Sequence, residues 1–355
     1  MRRLLFALGL VFIFGSTFAE ERRVFKEPEN DSQGSIKQKT HHRLQSGTPS
    51  ELIPPWLKKG TPGSVAPQPT AGSTSSTTPI TNHGGTVMNG VNTIYLIWYG
   101  NWAQTNNSDT AAGQKIIRDL IYGLASVSST NTYSAITTGS QKMGYYTSAS
   151  GNVSQLSSTK QAEYADNYTQ GKSLTDASIL KIVKNAIANG LGAVGGKATP
   201  NPDAIYLVLT SSDVKETSGF CSKFCGWHTY STFYSATAPI KYVFAGNTNQ
   251  CLGSCAAQTL SPNGNPGVDG MASVIAHELM ETVSDPLLNA WYDSSGSENA
   301  DKCGWTYGSS QTKMSTGAYY NVTLPALSQS TRNFHLQRAL AAGDSKCYIN
   351  AAGGQ

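Results

Sequence analysis

Residues Val274–Pro286 read VIAHELMETVSDP, and their spacing is that of one amphipathic helix. His277 and Glu281 are four residues apart, so they stand one turn above the other, about 40° apart around the axis. Glu278 lies beside His277 at the same level. Ala276, Leu279, Met280 and Val283 make the flanks apolar. Acidic residues on a helix are ordinarily a solvated face, but here the helix cannot pack and still turn these groups to water. Buried carboxylates without partners are costly, and a metal ion is one of the few partners that satisfies several together. Asp285-Pro286 ends the helix, because proline cannot continue it.

The layout resembles the zincin helix, H-E-x-x-H, in which two His hold zinc and the Glu is the general base. Here Glu281 stands in the second His position, a harder and more anionic ligand. Seventeen residues further on comes Glu298, followed by Asn299, Ala300 and Asp301. A Glu with an Asp close behind it is how the gluzincin branch supplies its third ligand and the carboxylate supporting it. The expected site is therefore Zn2+ on His277, Glu281 and Glu298, with Glu278 as catalytic base. Asp301 would support the ligands, and Asp285, two turns beyond His277, is a reserve ligand. Oxygen-rich ligation suits Ca2+ as the alternative, with only His277 arguing for zinc.

Residues 1–19 have the form of a secretory signal peptide: Arg2 and Arg3, an apolar run from Leu4 to Phe14, then Thr17-Phe18-Ala19 for cleavage. No stretch reaches the length of a transmembrane span. Residues 20–82 form a disordered propeptide or linker, since Gly60–Thr81 is a Pro/Ser/Thr/Gly tract too poor in apolar groups to offset its ordering entropy. Residues 83–350 form the folded domain. The leader and linker carry the whole formal charge of +4, and the domain has sixteen charges of each sign. That balance gives no basis for nucleic-acid binding.

All six cysteines fall in the last third. An even count in an exported chain reads as disulfides. Spacing suggests Cys221–Cys225 and Cys251–Cys255 as local staples, and Cys303–Cys347 as a longer tie. His228, a lone His after the first pair, reads as structural.

Within the domain, Asn92–Tyr99, Ala204–Leu209 and Ile240–Ala245 are buried strands. Helices are expected over Thr110–Ala125, N-capped by Asp109, and over Thr175–Asn189, stopped by Gly190. The order gives an α/β fold: a single three-layer, zincin-like domain with a central mixed sheet and disulfide-stapled loops. Asn289–Gly308 is a long loop whose Trp291, Tyr292 and Trp305 either line a substrate groove or cover the loop's own small core. Tyr319–Val322 reads as a strand and Arg332–Leu340 as a closing segment. His335, with an apolar neighbour on each side, is a packed His or an oxyanion donor. Asn30, Asn106, Asn152, Asn167 and Asn321 begin glycosylation sequons.

Several blocks together resemble the EXORDIUM-like (phosphate-induced protein) family. They are His83-Gly84-Gly85, Ile94-Tyr95-Leu96-Ile97-Trp98-Tyr99-Gly100-Asn101-Trp102 and Cys221-x3-Cys225-Gly226. Val243–Asn247 before Cys251-x3-Cys255, and Gly267-Val268-Asp269-Gly270-Met271, follow in the family's order. The resemblance implies a secreted, extracellular protein, with the cell wall as its expected place, since plant members are secreted there and linked to growth promotion. The stretch from His277 to Cys303 looks more like microbial relatives, the plant pattern departing from the H-E string. Two function classes stand: a zinc-dependent peptidase or amidase acting on a peptide, and a non-catalytic extracellular module with a structural metal or a wall polymer as partner.

Overall fold

In a computed structural model the described residues are 78–125, 146–149, 151–152, 156, 162–194, 199–342 and 345–349. The leader, nearly all of the linker and Asn30 lie outside them.

Five strands build the central sheet: β1 (Thr93–Tyr99), β2 (Glu163–Asp166), β3 (Ala204–Thr210), β4 (Gly226–Ser231) and β5 (Ile240–Gly246). Their order is β2-β1-β3-β5-β4. Neighbours are parallel except β4, which runs antiparallel to β5 at one edge. The fold is thus mixed α/β around a mixed sheet. All seven residues of β3 are buried, which explains why its sequence, AIYLVLT, is a continuous apolar run rather than an alternating one.

Three longer helices flank the sheet: α1 (Ala111–Ala125), α2 (Asp176–Ala188) and α3 (Pro266–Ser284). Helix α2 follows the sequence signals closely. Thr175 and Ser178 form a reciprocal capping box, and Gly190 beyond its end has φ +97°. Helix α1 departs from them, because Thr110 Oγ1, not Asp109, accepts the Gly113 N–H. The Asp109 carboxylate instead takes hydrogen bonds from the Ser212 N–H and from Asn247 Nδ2. It ties the end of β3 to the end of β5.

Helix α3 begins eight residues before the stretch that announces it. Asn265 caps it by accepting the Val268 N–H, and Pro266 occupies its first turn. Every residue from Gly267 to Ser284 is buried, so the helix is enclosed on all sides rather than amphipathic. Two glycines permit this. A Cβ on Gly267 would lie 2.5 Å from Asn247 Oδ1, and one on Gly270 would lie 2.3 Å from Thr248 Oγ1.

The six cysteines form Cys221–Cys251, Cys225–Cys255 and Cys303–Cys347. The expected local pairs within each CxxxC are therefore corrected, and only the third pair stands as read. Cys251 and Cys255 bound one helical turn, Leu252–Cys255, so their side chains lie side by side on one face rather than facing each other. The 221–225 turn lies against that face, and the two pairs form rungs between the segments.

The His83-Gly84-Gly85 block crosses the chain just beyond α3. The Gly85 N–H donates to Asn289 O at 2.9 Å, and a Cβ there would lie 2.1 Å from Asn289 Oδ1. Thr81–Asn82 pairs with Trp291–Tyr292, so paired backbone starts just inside the tract read as linker. The tail forms short hairpins: Val322–Pro325 with Thr331–Phe334, and Ala339–Ala341 with Lys346–Tyr348.

His335 is packed in this region. Its ring stacks on Tyr307 with centroids 4.1 Å apart, and Nε2 lies 2.8 Å from Gln311 Oε1. Burial pushes its pKa down to about 3, so the ring is neutral in the folded state. A depressed pKa gives stability that is fully present above the unfolded value near 6.5 and is lost as pH falls toward 3. Replacing His335 by Gln is expected to flatten the acid limb of urea-unfolding stability between pH 6 and 4. An unchanged slope would contradict the packing account.

Candidate metal centre

Strand β4 and helix α3 bring the site's parts together. Along β4 side chains alternate, and Trp227 packs with Tyr242 and Phe244 of β5, ring centroids 5.8 and 5.6 Å away. That leaves Gly226 and His228 on the other face, toward α3. A Cβ at Gly226 would lie 2.5 Å from Val274 and 3.2 Å from Glu278 Oε1, so only glycine lets β4 come this close.

His228, His277, Glu278, Glu281 and Glu298 all have zero exposure. His277 Nε2 lies 2.9 Å from Glu281 Oε1 and 3.7 Å from Asp301 Oδ1. His228 Nε2 lies 2.9 Å from Glu298 Oε2 and 3.7 Å from Glu281 Oε2. Backbone holds the acids in place: the Asp301 N–H donates to Glu281 Oε1, and the Glu298 N–H donates to Asp301 Oδ2. Asp301, its side chain 18 % exposed, is the one member that reaches solvent.

Two triads can each offer three ligand atoms within 4.8 Å of one another: His277, Glu281 and Asp301, and His228, Glu278 and Glu281. The sequence-predicted residues are thus gathered in one place but divided differently. Asp301, expected behind the ligands, belongs with His277 and Glu281. Glu298, expected as their third member, sits on His228. Asp285 lies apart: its Oδ1 accepts the Asn289 and Ala290 N–H groups, both at 2.7 Å, and fixes the turn after the helix. Burial raises its pKa to about 6.

His228 escaped the sequence reading. The signal that could have found it is alternation, because it lies two residues from Gly226 on a strand, hence on the same face. Nothing in the chain's order says that this face meets α3.

The electrostatics are those of crowded acids. Burial, then the charge of Glu281, pushes Glu278 well above the ordinary carboxylate range. Burial alone would lower His277, but Glu281 and Asp301 outweigh it and hold the ring well above its usual value. Lys302 is no counter-ion here, since its Nζ is 2.5 Å from Asp293 Oδ2 and 2.8 Å from Thr78 O. Two His nitrogens among four carboxylates form a mixed N/O donor set suited to a first-row divalent ion. Trp305 and Tyr307 are buried and Trp291 and Tyr292 half-buried, with Tyr292 stacked on His83 at 3.7 Å, so these aromatics mainly cover the loop.

Among the sequons, Asn106 and Asn321 have their amides engaged inside the fold, Asn321 with Tyr307 O and Leu336 O. Asn167 is exposed. No helix among the described residues is long and apolar enough to cross a membrane.

The profile of the family described as "Phosphate-induced protein 1 conserved region" matches residues 80–347. Protein EXORDIUM-like 3 of Arabidopsis thaliana is 33% identical over 264 residues, covering 67% of this chain and 72% of its own length. Protein EXORDIUM-like 5 of the same plant is 33% identical over 61% of each chain, and Protein PHOSPHATE-INDUCED 1 of Nicotiana tabacum is 28% identical over 67% of this chain and 79% of its own. No solved structure matches the chain. The matched span runs from the strap over Asn289 to the last disulfide and takes in the sheet, α3 and every member of the buried cluster, and the chain belongs to the phosphate-induced protein 1, EXORDIUM-like, family.

Proposed function

We propose that this chain is a secreted extracellular module built around a divalent metal centre, with zinc as the favoured ion. In this reading the ion locks the Asp293–Trp305 segment onto α3 and β4. One observation supports it above the rest: His228, His277, Glu278, Glu281 and Glu298, from three separate segments, converge with zero exposure, and the cluster offers two sets of three ligand atoms within 4.8 Å of one another. Export is supported by the signal-like leader and by three disulfides, which persist in oxidising compartments. Calcium is disfavoured by the two His nitrogens.

A hydrolytic reading of the same centre, a peptidase or amidase, is favoured by the sheet and by Glu278. The chain leaves β1 for β2 on one side and then passes to β3 on the other. Right-handed crossovers in those opposite directions would put α1 and α2 on opposite faces of the sheet, which supports a three-layer, zincin-like reading, and α1 packs on α3. A bound ion would supply Lewis acidity and lower the pKa of its water. Glu278, beside His277, would take the proton of the attacking water and pass it to the leaving amine.

Unfolding of the full chain in EDTA, with Zn2+ or Ca2+ then returned, tests the centre. Recovery of the melting temperature by Zn2+ alone is expected, and recovery by Ca2+ alone would replace zinc. A midpoint indifferent to EDTA at full metal removal would sink the reading. Glu278→Gln separates the two roles. A hydrolase loses at least about 100-fold in peptide turnover while the fold persists, whereas a locking centre has no turnover to lose.

A further inference from the structure

We propose that the centre holds two divalent ions bridged by the carboxylate of Glu281. This rests on the metal-centre reading above. Glu281 turns one oxygen to each histidine, Oε1 at 2.9 Å from His277 Nε2 and Oε2 at 3.7 Å from His228 Nε2. The surroundings of the two rings repeat each other. Each Nε2 has one carboxylate oxygen at 2.9 Å and a second at 3.7 Å: Glu281 and Asp301 for His277, Glu298 and Glu281 for His228.

Ligand atoms on one first-row ion stand about 2.0–2.2 Å from it, hence no more than about 4.4 Å from one another. The two histidines fall into separate triads, the ligand atoms of each within 4.8 Å of one another, and Glu281 is the residue common to both. Each triad suits one ion. Glu298 belongs to neither triad and lies against His228 alone, its Oε2 2.9 Å from Nε2. In two-metal sites the ions stand about 3.5–4 Å apart, the separation that a carboxylate offering one oxygen to each permits.

Charge leads to the same number. Glu278, Glu281, Glu298 and Asp301 carry four negative charges when ionised, and metal-bound His is neutral. Two divalent ions match that sum, whereas one matches half of it. Lys302, next to Asp301 in the chain, is engaged by Asp293. The assignment also changes Glu278 from the base of a single-zinc hydrolase into a ligand of the second ion.

The test is metal stoichiometry in the full chain, by inductively coupled plasma mass spectrometry after loading with Zn2+ or Mn2+ and gel filtration. Wild type is expected to hold two ions, His228→Ala one and Asp301→Asn one. The Mn2+-loaded wild type should show the electron paramagnetic resonance spectrum of a coupled pair, which needs no variant to fold. Two ions with coupling support the bridged pair. One ion in wild type, retained by His228→Ala, overturns the pair and leaves the single-ion centre standing. No ion overturns both readings.

Discussion

Glu281→Ala is expected to be the most damaging single substitution in the centre, lowering stability by about 3–5 kcal/mol, the range found when one partner of a buried ionic set is removed. Glu281 meets three groups at once: His277 at 2.9 Å, His228 at 3.7 Å and the Asp301 N–H at 3.1 Å. Alanine withdraws all three and leaves a cavity under the 298–301 turn. Glu281→Gln is gentler, because its amide oxygen can still accept the Asp301 N–H while its charge is gone. Urea unfolding at neutral pH should therefore rank wild type above Gln above Ala. Adding EDTA should shrink the gap between wild type and Gln, since in the proposed centre much of what the charge contributes is exerted through the ion. If Gln and Ala are equally unstable, and EDTA moves neither them nor wild type, Glu281 is a space-filling acid in a hydrogen-bonded core. A Gln variant as stable as wild type and still metal-bound would place the ion elsewhere.

The sequence made the elements legible where local physics decides them. The apolar runs of β1, β3 and β5 and the capped α2 need only burial and hydrogen bonding within a few residues. His277, Glu278, Glu281, Glu298 and Asp301 were legible as a set because acidic groups on an apolar helix need an explanation. Their partition was not. Whether Asp301 or Glu298 faces His277 depends on the path of the chain between Ser284 and Cys303. That path is fixed by distant contacts: the His83–Gly85 strap across Asn289, the Asp285 carboxylate on the Asn289 and Ala290 N–H groups, and Lys302 on Asp293. His228 was hidden for the same reason. A strand residue shows which face it shares with its neighbours two away, but the helix covering that face begins only at Pro266, far along the chain from His228. The disulfides were misjudged because spacing ranks short loops first. The fold instead lays two turns, 219–225 and 251–255, against each other, so both bonds join positions thirty residues apart.

Removing the inner of those bonds, with Cys225→Ser and Cys255→Ser together, is expected to cost about 3–4 kcal/mol, the loop-closure entropy of a thirty-residue crosslink. In a domain of this size that is about 10 °C in melting temperature. The outer bond, Cys221–Cys251, closes a loop of the same length, so entropy alone predicts the same loss for its double variant. Burial separates them. Cys225 and Cys255 are 2% and 0% exposed, whereas Cys221 and Cys251 are half-buried, so the inner pair leaves two hydroxyls in an apolar core. The inner variant should therefore be the less stable of the two, and peptide mapping should find Cys221–Cys251 still closed in it. The same variant should weaken the metal centre, because Cys225 adjoins Gly226 and lies three residues from His228 on the strand facing Glu278. The outer variant, one turn further from β4, should bind metal nearly as wild type does. Equal stability losses with metal binding intact in both would reduce the pair to chain-entropy staples. A larger loss in the inner variant, together with weaker metal binding, would show that the rung at Cys225 holds β4 in register with α3.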